Sequence, residues 1–482
     1  MSFIFVPVYI GFMGVEAYGL VGLFIALLAL SAVFELGIGM TLNRELSRLS
    51  ALPGNEQRMR DVLRSLEVMF WSIGVLLGAV LVALAPVIAD NWLQNEAISA
   101  ETVRLAIRIM GVNLAVQFLG RFYAGGLRGL EQQVLVNILG VVAATLRSVG
   151  VILVLWLISP TVPAFFLWNG LIATLYLLLV VICLWRSLPS ADRRASFGVD
   201  TLRSVARFAA GMTAISVATA ILTQTDKIIL SGMLSLEAFG YYTLAGVVAH
   251  SLYRVTGPVR LAVYPRFCKL VELNDTGGLQ SLYHFACQLI SVLILPAAIF
   301  LVFFSREILD LWVRDADVVD NTYLIVSLLA AGTGLNALMH LPNALQLAHG
   351  WTRLILNGGI VAIVLIVPGI VVLTSLYAGI GAAIAWVVLN LGYVLIVIHL
   401  MHRRLLPGEK YRWYFEDVGA PFVAALLVCG AGRLVLSASD SRLVTALCLI
   451  GILLTAFVMS AFAARRVGRW IFANIGAIRV AA

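Results

Sequence analysis

VEAYGL, Val15 to Leu20, returns later in the chain as LEAFGY, Leu236 to Tyr241. The two phrases are offset by 221 residues in a chain of 482, and each follows an apolar, glycine-containing stretch and opens another. Positions ahead of them also correspond, Gly11 with Gly232 and Met13 with Leu234, so the duplication takes in whole helices and not a loop alone. The chain therefore reads as two related halves. In a membrane protein, a repeat with its parts in the same order points to two helical bundles around a midplane site, a common plan among transporters.

Composition places the chain in a membrane. Hydrophobic residues make up 61% and charged residues 12%, against about 25% charged in an ordinary soluble domain; mean hydropathy is +1.00. Windows of about 20 mostly apolar residues, the length that crosses the hydrocarbon core, recur along the chain. The reading is an all-α polytopic protein of about fourteen spans, near 1–14, 17–40, 65–89, 105–126, 134–158, 162–185, 205–231, 238–262, 281–304, 323–347, 354–375, 378–400, 418–436 and 441–463. These group as an N-lobe at 1–186, a basic linker at 187–204, a C-lobe at 205–400 and a C-terminal helix pair with a basic tail at 401–482. Sliding the second copy back by 221 puts the counterpart of helix seven's start upstream of Met1, so helix one is expected to be incomplete. Its opening MSFIFVPVYI has no basic n-region, which argues against a cleaved signal peptide.

Basic residues test the map, because Lys and Arg collect on the cytoplasmic side of spans. With a cytoplasmic N-terminus, Arg44, Arg48, Arg58, Arg60, Arg64, Arg186, Arg193, Arg194, Arg203, Arg207, Arg403, Arg404, Lys410, Arg412, Arg465, Arg466 and Arg469 all fall inside, and the C-terminus is cytoplasmic as well. The net charge of +8 then belongs beside anionic lipid head groups and calls for no nucleic acid. The longest outside loop, near 305–322, is short. Cys183, Cys268, Cys287, Cys429 and Cys448 show no paired spacing, so neither a disulfide framework nor a zinc site is expected. There is no GxxxxGK[ST] and no HExxH motif, which disfavours nucleotide hydrolysis and zinc chemistry.

Polar side chains inside spans are costly and default to functional candidates. Helix seven carries a stripe of Thr213, Ser216, Thr219, Thr223 and Asp226, with Gln224 and Lys227 beside it. Helix ten repeats the pattern with Thr333, Asn336, His340, Asn343 and Gln346, and Pro342 should kink it. Helix eight adds His250 and Arg254, helix nine His284 and Gln288, helix five Asn137 and Arg147, helix four Asn113 and Gln117, and helix two Ser31 and Glu35. Interhelical packing is the plain alternative for each, most of all for the hydroxyl and amide groups. Summed, Arg147, Lys227 and Arg254 outweigh Glu35 and Asp226. A mildly cationic, hydroxyl- and amide-lined cavity suits phosphate together with sugar better than an organic cation.

These residues resemble a known family. VEAYGLVGLFIALLALSAVFELGIGMTLNREL, TDKIILSGMLSLEAFGYYTLAG and the two-lobed helix count are similar to the polysaccharide, or lipid-linked oligosaccharide, flippases that include O-antigen translocases, within the superfamily shared with lipid II flippases and multidrug and toxin exporters. Glu35, Leu36 and Gly37 stand at the family's acidic-Leu-Gly pattern, with Glu where Asp is usual; Arg44 and Glu45 stand at its Arg-Glu pair, and Asp226 and Lys227 at its Asp-basic pair. The resemblance implies two six-helix lobes working by alternating access in the bacterial cytoplasmic membrane, with no catalytic chemistry. It implies a polyprenyl-pyrophosphate oligosaccharide as substrate, and the polar residues read inside the spans, Arg147, Lys227, Arg254, His250, Asn336, His340 and Asn343, are the candidates to hold it. Because a charge in a low-dielectric cavity can change protonation or ion occupancy, Glu35, Asp226 or His284 is expected to couple transport to H+, Na+ or membrane potential, and Arg44 with Glu45 to form a cytoplasmic gate. No cofactor or metal is implied. A monomer working beside glycosyltransferases and a polymerase is the family habit, and the last two helices would serve as a lipid groove or as packing. A cation-coupled multidrug antiporter is the runner-up, expected to gather acid over base in its cavity. A membrane-embedded sugar polymerase is a third reading, weakened by the short loops.

Overall fold

The computed structural model describes residues 2–34, 38–50, 54–94, 98–191, 193–199, 202–203, 224–436 and 441–471. Helices account for nearly all of them, and they pack into two units, Met1–Gly240 and Tyr241–Ala482.

In the first unit, α1 (Ser2–Met13) and α2 (Val15–Phe34) lead to the amphipathic α3 (Ile38–Ser50), then to α4 (Glu56–Val87), α5 (Ala100–Gly129), α6 (Gln133–Leu157) and α7 (Val162–Ser187). A core of stacked rings holds α4 against α5: Phe70 lies 5.0 Å from Phe118 and 4.4 Å from Phe122, centroid to centroid. Offset aromatic pairs of this kind hold helices together where lipid supplies no hydrophobic drive between them. The side chains of Val134, Trp156 and Leu157, by contrast, are outward and apolar, as a lipid-facing surface requires.

The segment 193–199 is not loose chain. Asp61, in the first turns of α4, accepts from the Ser196 amide at 2.6 Å and from its hydroxyl at 3.1 Å, and the Gly198 amide donates to Ser65 Oγ at 3.0 Å.

The two repeat phrases meet. A Cβ on Gly19 would fall on the carbonyl oxygen of Leu236, and one on Gly240 would fall on that of Val15. Because Gly19 and Gly240 hold the same place in the two copies, as do Val15 and Leu236, the contact is reciprocal: each copy's glycine admits the other's first carbonyl. Gln94 adds a parallel bridge to Ser235 and accepts from the Leu236 amide at 2.8 Å.

In the second unit, α8 (Leu236–His250, which begins in the first unit) and α9 (Tyr253–Glu272) precede α10 (Thr276–Val313), α11 (Ala316–Leu338), α12 (His340–Ala348) and α13 (Arg353–Gly392). A π-turn joins α13 to α14 (Ile398–Leu405), and α15 (Lys410–Val435) and α16 (Arg442–Ala463) close the unit. Both last helices contribute to the unit's core through Ala425, Cys429, Leu449 and Ala456. Pro342 breaks helix ten one turn upstream, at Met339 between α11 and α12, because its ring opposes the carbonyl of residue 338 and its nitrogen cannot donate.

Among the described residues nine helices are long and apolar enough to cross a membrane, with a shorter apolar helix at Val15–Ser31. That number counts the described residues alone and does not confirm the expected fourteen. Windows 354–375 and 378–400 are two helical stretches of α13 and its continuation, separated as expected by a kink at Tyr377 and Ala378, where φ and ψ leave the helical region. Window 238–262 is divided at 251–252 between α8 and α9, and most of window 205–231 lies outside the described residues.

Candidate functional site

Three faces converge in the first unit on a cavity of about 270 Å³. From α5 come Gln117, Arg121, Ala124 and Arg128, from α6 Gly140, Ala143, Ala144 and Arg147, and from α7 Ala173 and Tyr176. The spacings are those of single helix faces, with steps of three or four along α5. Small residues supply the room, and the long basic side chains reach into it. The lining holds three guanidinium groups and no carboxylate. Arg147 is the inner member, and its Nε is buried without a hydrogen-bond partner. Arg121 donates to the Leu28 carbonyl on α2 at 3.3 Å. An open donor on a shielded guanidinium is what a phosphate oxygen would satisfy. Asn113, a turn from Gln117, instead donates to the Phe166 carbonyl at 2.8 Å and works as packing.

The second unit gathers a polar, aromatic group. His250, Tyr253 and His340 stack in sequence, with centroids 5.8 Å and 5.6 Å apart. The Tyr253 hydroxyl donates to Asn336 Oδ1 at 2.9 Å, and Asn336 Nδ2 donates to Asn390 Oδ1 at 2.6 Å. Asn343 accepts from Gln346 one turn on, while Arg254 is exposed on α9.

Nearer the start of α10, His284 is fully buried between two carboxylates, Asp417 at Nδ1 and Glu409 at Nε2. Gln288, one turn further, donates to Asp417 at 2.9 Å and accepts from the Arg466 amide at 2.9 Å. Partial burial lowers the pKa of Arg466, outside the spans, from its usual value.

The remaining candidates are dispersed. Lys227 donates to Gln224 at 3.1 Å within the helical residues 224–233, which also carry Asp226. Glu45 pairs with Arg48 at 2.7 Å, an exposed contact of at most about 1 kcal/mol. Glu35, the side chain of Arg44, and Thr213, Ser216, Thr219 and Thr223 lie outside the described residues.

With this geometry in view, residues 11–315 match a family described as "Polysaccharide biosynthesis protein", more than half of the chain. The chain belongs to that family. As a member of the polysaccharide biosynthesis family it is similar to a protein of Shigella flexneri named "Putative O-antigen transporter", 21% identical over 78% of this chain and 87% of that protein. Its fold is that of two solved transporters. "Lipid II flippase MurJ, inward closed conformation" superposes with a TM-score of 0.67 at 13% identity, covering 94% of this chain and 97% of the other. A "multidrug resistance MATE family transporter of the MOP superfamily", in its inward-facing conformation, gives 0.68 at 13% identity, covering 83% and 94%.

Within this family member the structure joins Arg147 to Arg121 and Arg128, which the sequence reading had not singled out; Lys227 and Arg254 are not in that lining. The signal was present, since Gln117, Arg121 and Arg128 are spaced on one helix face, but arginines close to a span's end read as lipid-facing anchors. Tyr253 and Asn390 had no comparable signal, nor did Asp417 and Glu409, whose partner His284 is more than a hundred residues away.

Glu67 was also missed. It is buried and accepts from the Tyr123 hydroxyl, from Trp185 Nε1 at 3.3 Å and from Arg64 at 2.7 Å. In the repeat it is the counterpart of Gln288, so in each half this position ties the equivalent helix, α4 or α10, to its neighbours.

Proposed function

We propose that this protein is a flippase that moves a polyprenyl-pyrophosphate-linked oligosaccharide from the cytoplasmic to the outer face of the bacterial cytoplasmic membrane by alternating access. The observation that carries the reading is the cavity of Arg121, Arg128 and Arg147, three cations with no carboxylate in the lining. Guanidinium groups bind phosphate oxygens bidentately and hold their charge at any physiological pH. The cavity lies toward the end of α5 that the basic-residue pattern puts in the cytoplasm, where a lipid-linked precursor is made. Gln117 and Tyr176 beside the arginines, and the stack of His250, Tyr253 and His340 with Asn336 and Asn390, suit hydroxyl-rich sugar.

In this reading both termini are cytoplasmic, Lys227, Arg254 and Asn343 assist substrate passage, and Arg44 with Glu45 guards the cytoplasmic entrance. Transport is coupled to H+ or Na+ through Glu35, Asp226 or His284. The protein acts as a monomer that receives its substrate from glycosyltransferases and delivers it to a polymerase.

The test is made in a strain lacking the gene, with and without the gene restored. Polyprenyl-linked oligosaccharides are extracted and the membrane face exposing their glycan is determined. Accumulation on the cytoplasmic face, relieved by the restored gene, is the expected result. Unchanged lipid-linked sugars together with increased sensitivity to cationic drugs would replace this reading with drug export.

A further inference from the structure

One imidazole with a carboxylate on each side poses a question of proton count. Neutral histidine carries a single N–H, so it can donate to one carboxylate only; at the other nitrogen a lone pair would meet a carboxylate lone pair. In the second unit Nδ1 of His284 is in hydrogen-bond contact with Asp417 and Nε2 lies 2.9 Å from Glu409. With both carboxylates ionised, both contacts are satisfied only when the ring carries a proton on each nitrogen. The carboxylates lie on opposite sides of the ring, so a single metal ion cannot bridge all three groups, and among the described residues no set of three or more His, Cys, Asp or Glu is placed to hold one.

We propose that His284, Asp417 and Glu409 form a proton-binding site, and that its proton latches the last two membrane helices to α10. The three groups come from separate places: His284 from α10, Glu409 from the turn before α15, and Asp417 from α15 itself. Gln288 carries the connection onward, donating to Asp417 and accepting from the Arg466 amide in the segment after α16. Losing the proton costs one of the two imidazole contacts. The arm that yields is Glu409, since its side chain is 20% exposed and Asp417 is fully buried with a second donor in Gln288. The start of α15 then loses its tie to α10 through the exposed end of the cluster.

The surroundings tune this site from every packed element. Arg412 lies 3.6 Å from Glu409 and also faces Glu416. Tyr283 on α10 meets His402 of α14 at 3.4 Å, and Lys410 is turned to His399. Cys287 and Trp413 complete the buried wall. This inference deepens the coupling part of the proposed function, but its measurement does not depend on the substrate.

The chain has only six histidines, so protein carrying 15N-labelled histidine in lipid nanodiscs gives a countable set of ring signals. The signal lost in His284→Gln is His284. The expected result is two protonated ring nitrogens at the acidic end of a pH series, one of them lost toward the alkaline end. In Glu409→Gln the amide donates to Nε2, a neutral ring suffices, and His284 should be singly protonated near neutral pH with its contacts intact. A wild-type His284 that stays singly protonated across the range overturns the site, as does a doubly protonated ring in Glu409→Gln. The latch is read by hydrogen exchange of peptides covering 406–420, compared between wild type and Glu409→Gln at each pH so that intrinsic exchange chemistry cancels. Wild type should exchange about tenfold faster than the variant at the alkaline end and equally at the acidic end. A ratio flat with pH rejects the latch while leaving the flippase reading untouched.

Discussion

At the scale of single residues the first unit turns on Arg147. Its neighbours Ala143, Ala144 and Ala173 leave space around a guanidinium whose Nε has no partner, so binding would supply the missing acceptor. A hydrogen bond to a charged group contributes about 1.5–3 kcal/mol, so Arg147→Ala should lower export roughly tenfold to a hundredfold while the protein still inserts. Arg147→Lys should retain an intermediate activity, because a point charge replaces a planar fork. The check is export rate normalised to the amount of protein in the membrane; unaltered export in both variants would remove Arg147 from phosphate contact. The sequence marked Arg147 by its depth in a span and marked His284 with Gln288 by their spacing of four. It could not mark Asp417 as the group both residues share, because that meeting is made by packing and not by position along a helix.

Among elements, the repeated phrase that opens α2 and α8 is the feature the sequence announced most plainly, and the structure adds that its two copies touch reciprocally. The repeated glycine has a reason in the fold, since each copy makes way for the other's backbone. Adding a methyl group at either place forces a backbone shift that, as in other overpacked contacts, costs about 1–3 kcal/mol. Gly19→Ala and Gly240→Ala should each lower the thermal unfolding midpoint in detergent. The double variant should lose less than the sum, because one opened contact relieves the other. Additive losses would mean that the two approaches are independent. Helix number was less legible. Hydropathy sees apolar length, and its division of 354–400 falls where the backbone kinks, at Tyr377 and Ala378. But it placed one span across 238–262, where the chain turns between α8 and α9.

For the whole molecule, the distribution of basic residues makes an orientation that can be checked. Arg193 and Arg194 sit in a segment docked on α4 by Asp61, Gln57 and Ser65. Trypsin added to inside-out vesicles should cut there slowly in the wild type and severalfold faster in Asp61→Ala, whose segment loses two hydrogen bonds, both from Ser196. Trypsin added to right-side-out vesicles should leave the site intact in both. Cleavage from the outside alone would invert the topology.

The sequence by itself determined that the chain is a helical membrane protein built on a repeat. Apolar length, the bias of Arg and Lys and the returning phrase VEAYGL and LEAFGY are one-dimensional quantities, readable without knowing which helices touch. It also singled out polar side chains inside spans, because each is costly wherever its helix goes. Only the tertiary structure decided the company they keep: Arg147 with Arg121 and Arg128, Asn336 with Tyr253 and Asn390, and His284 between Asp417 and Glu409. The physical reason is that a site's charge and proton count are set by distances of a few ångströms across helices, and helix periodicity fixes only which side chains share a face.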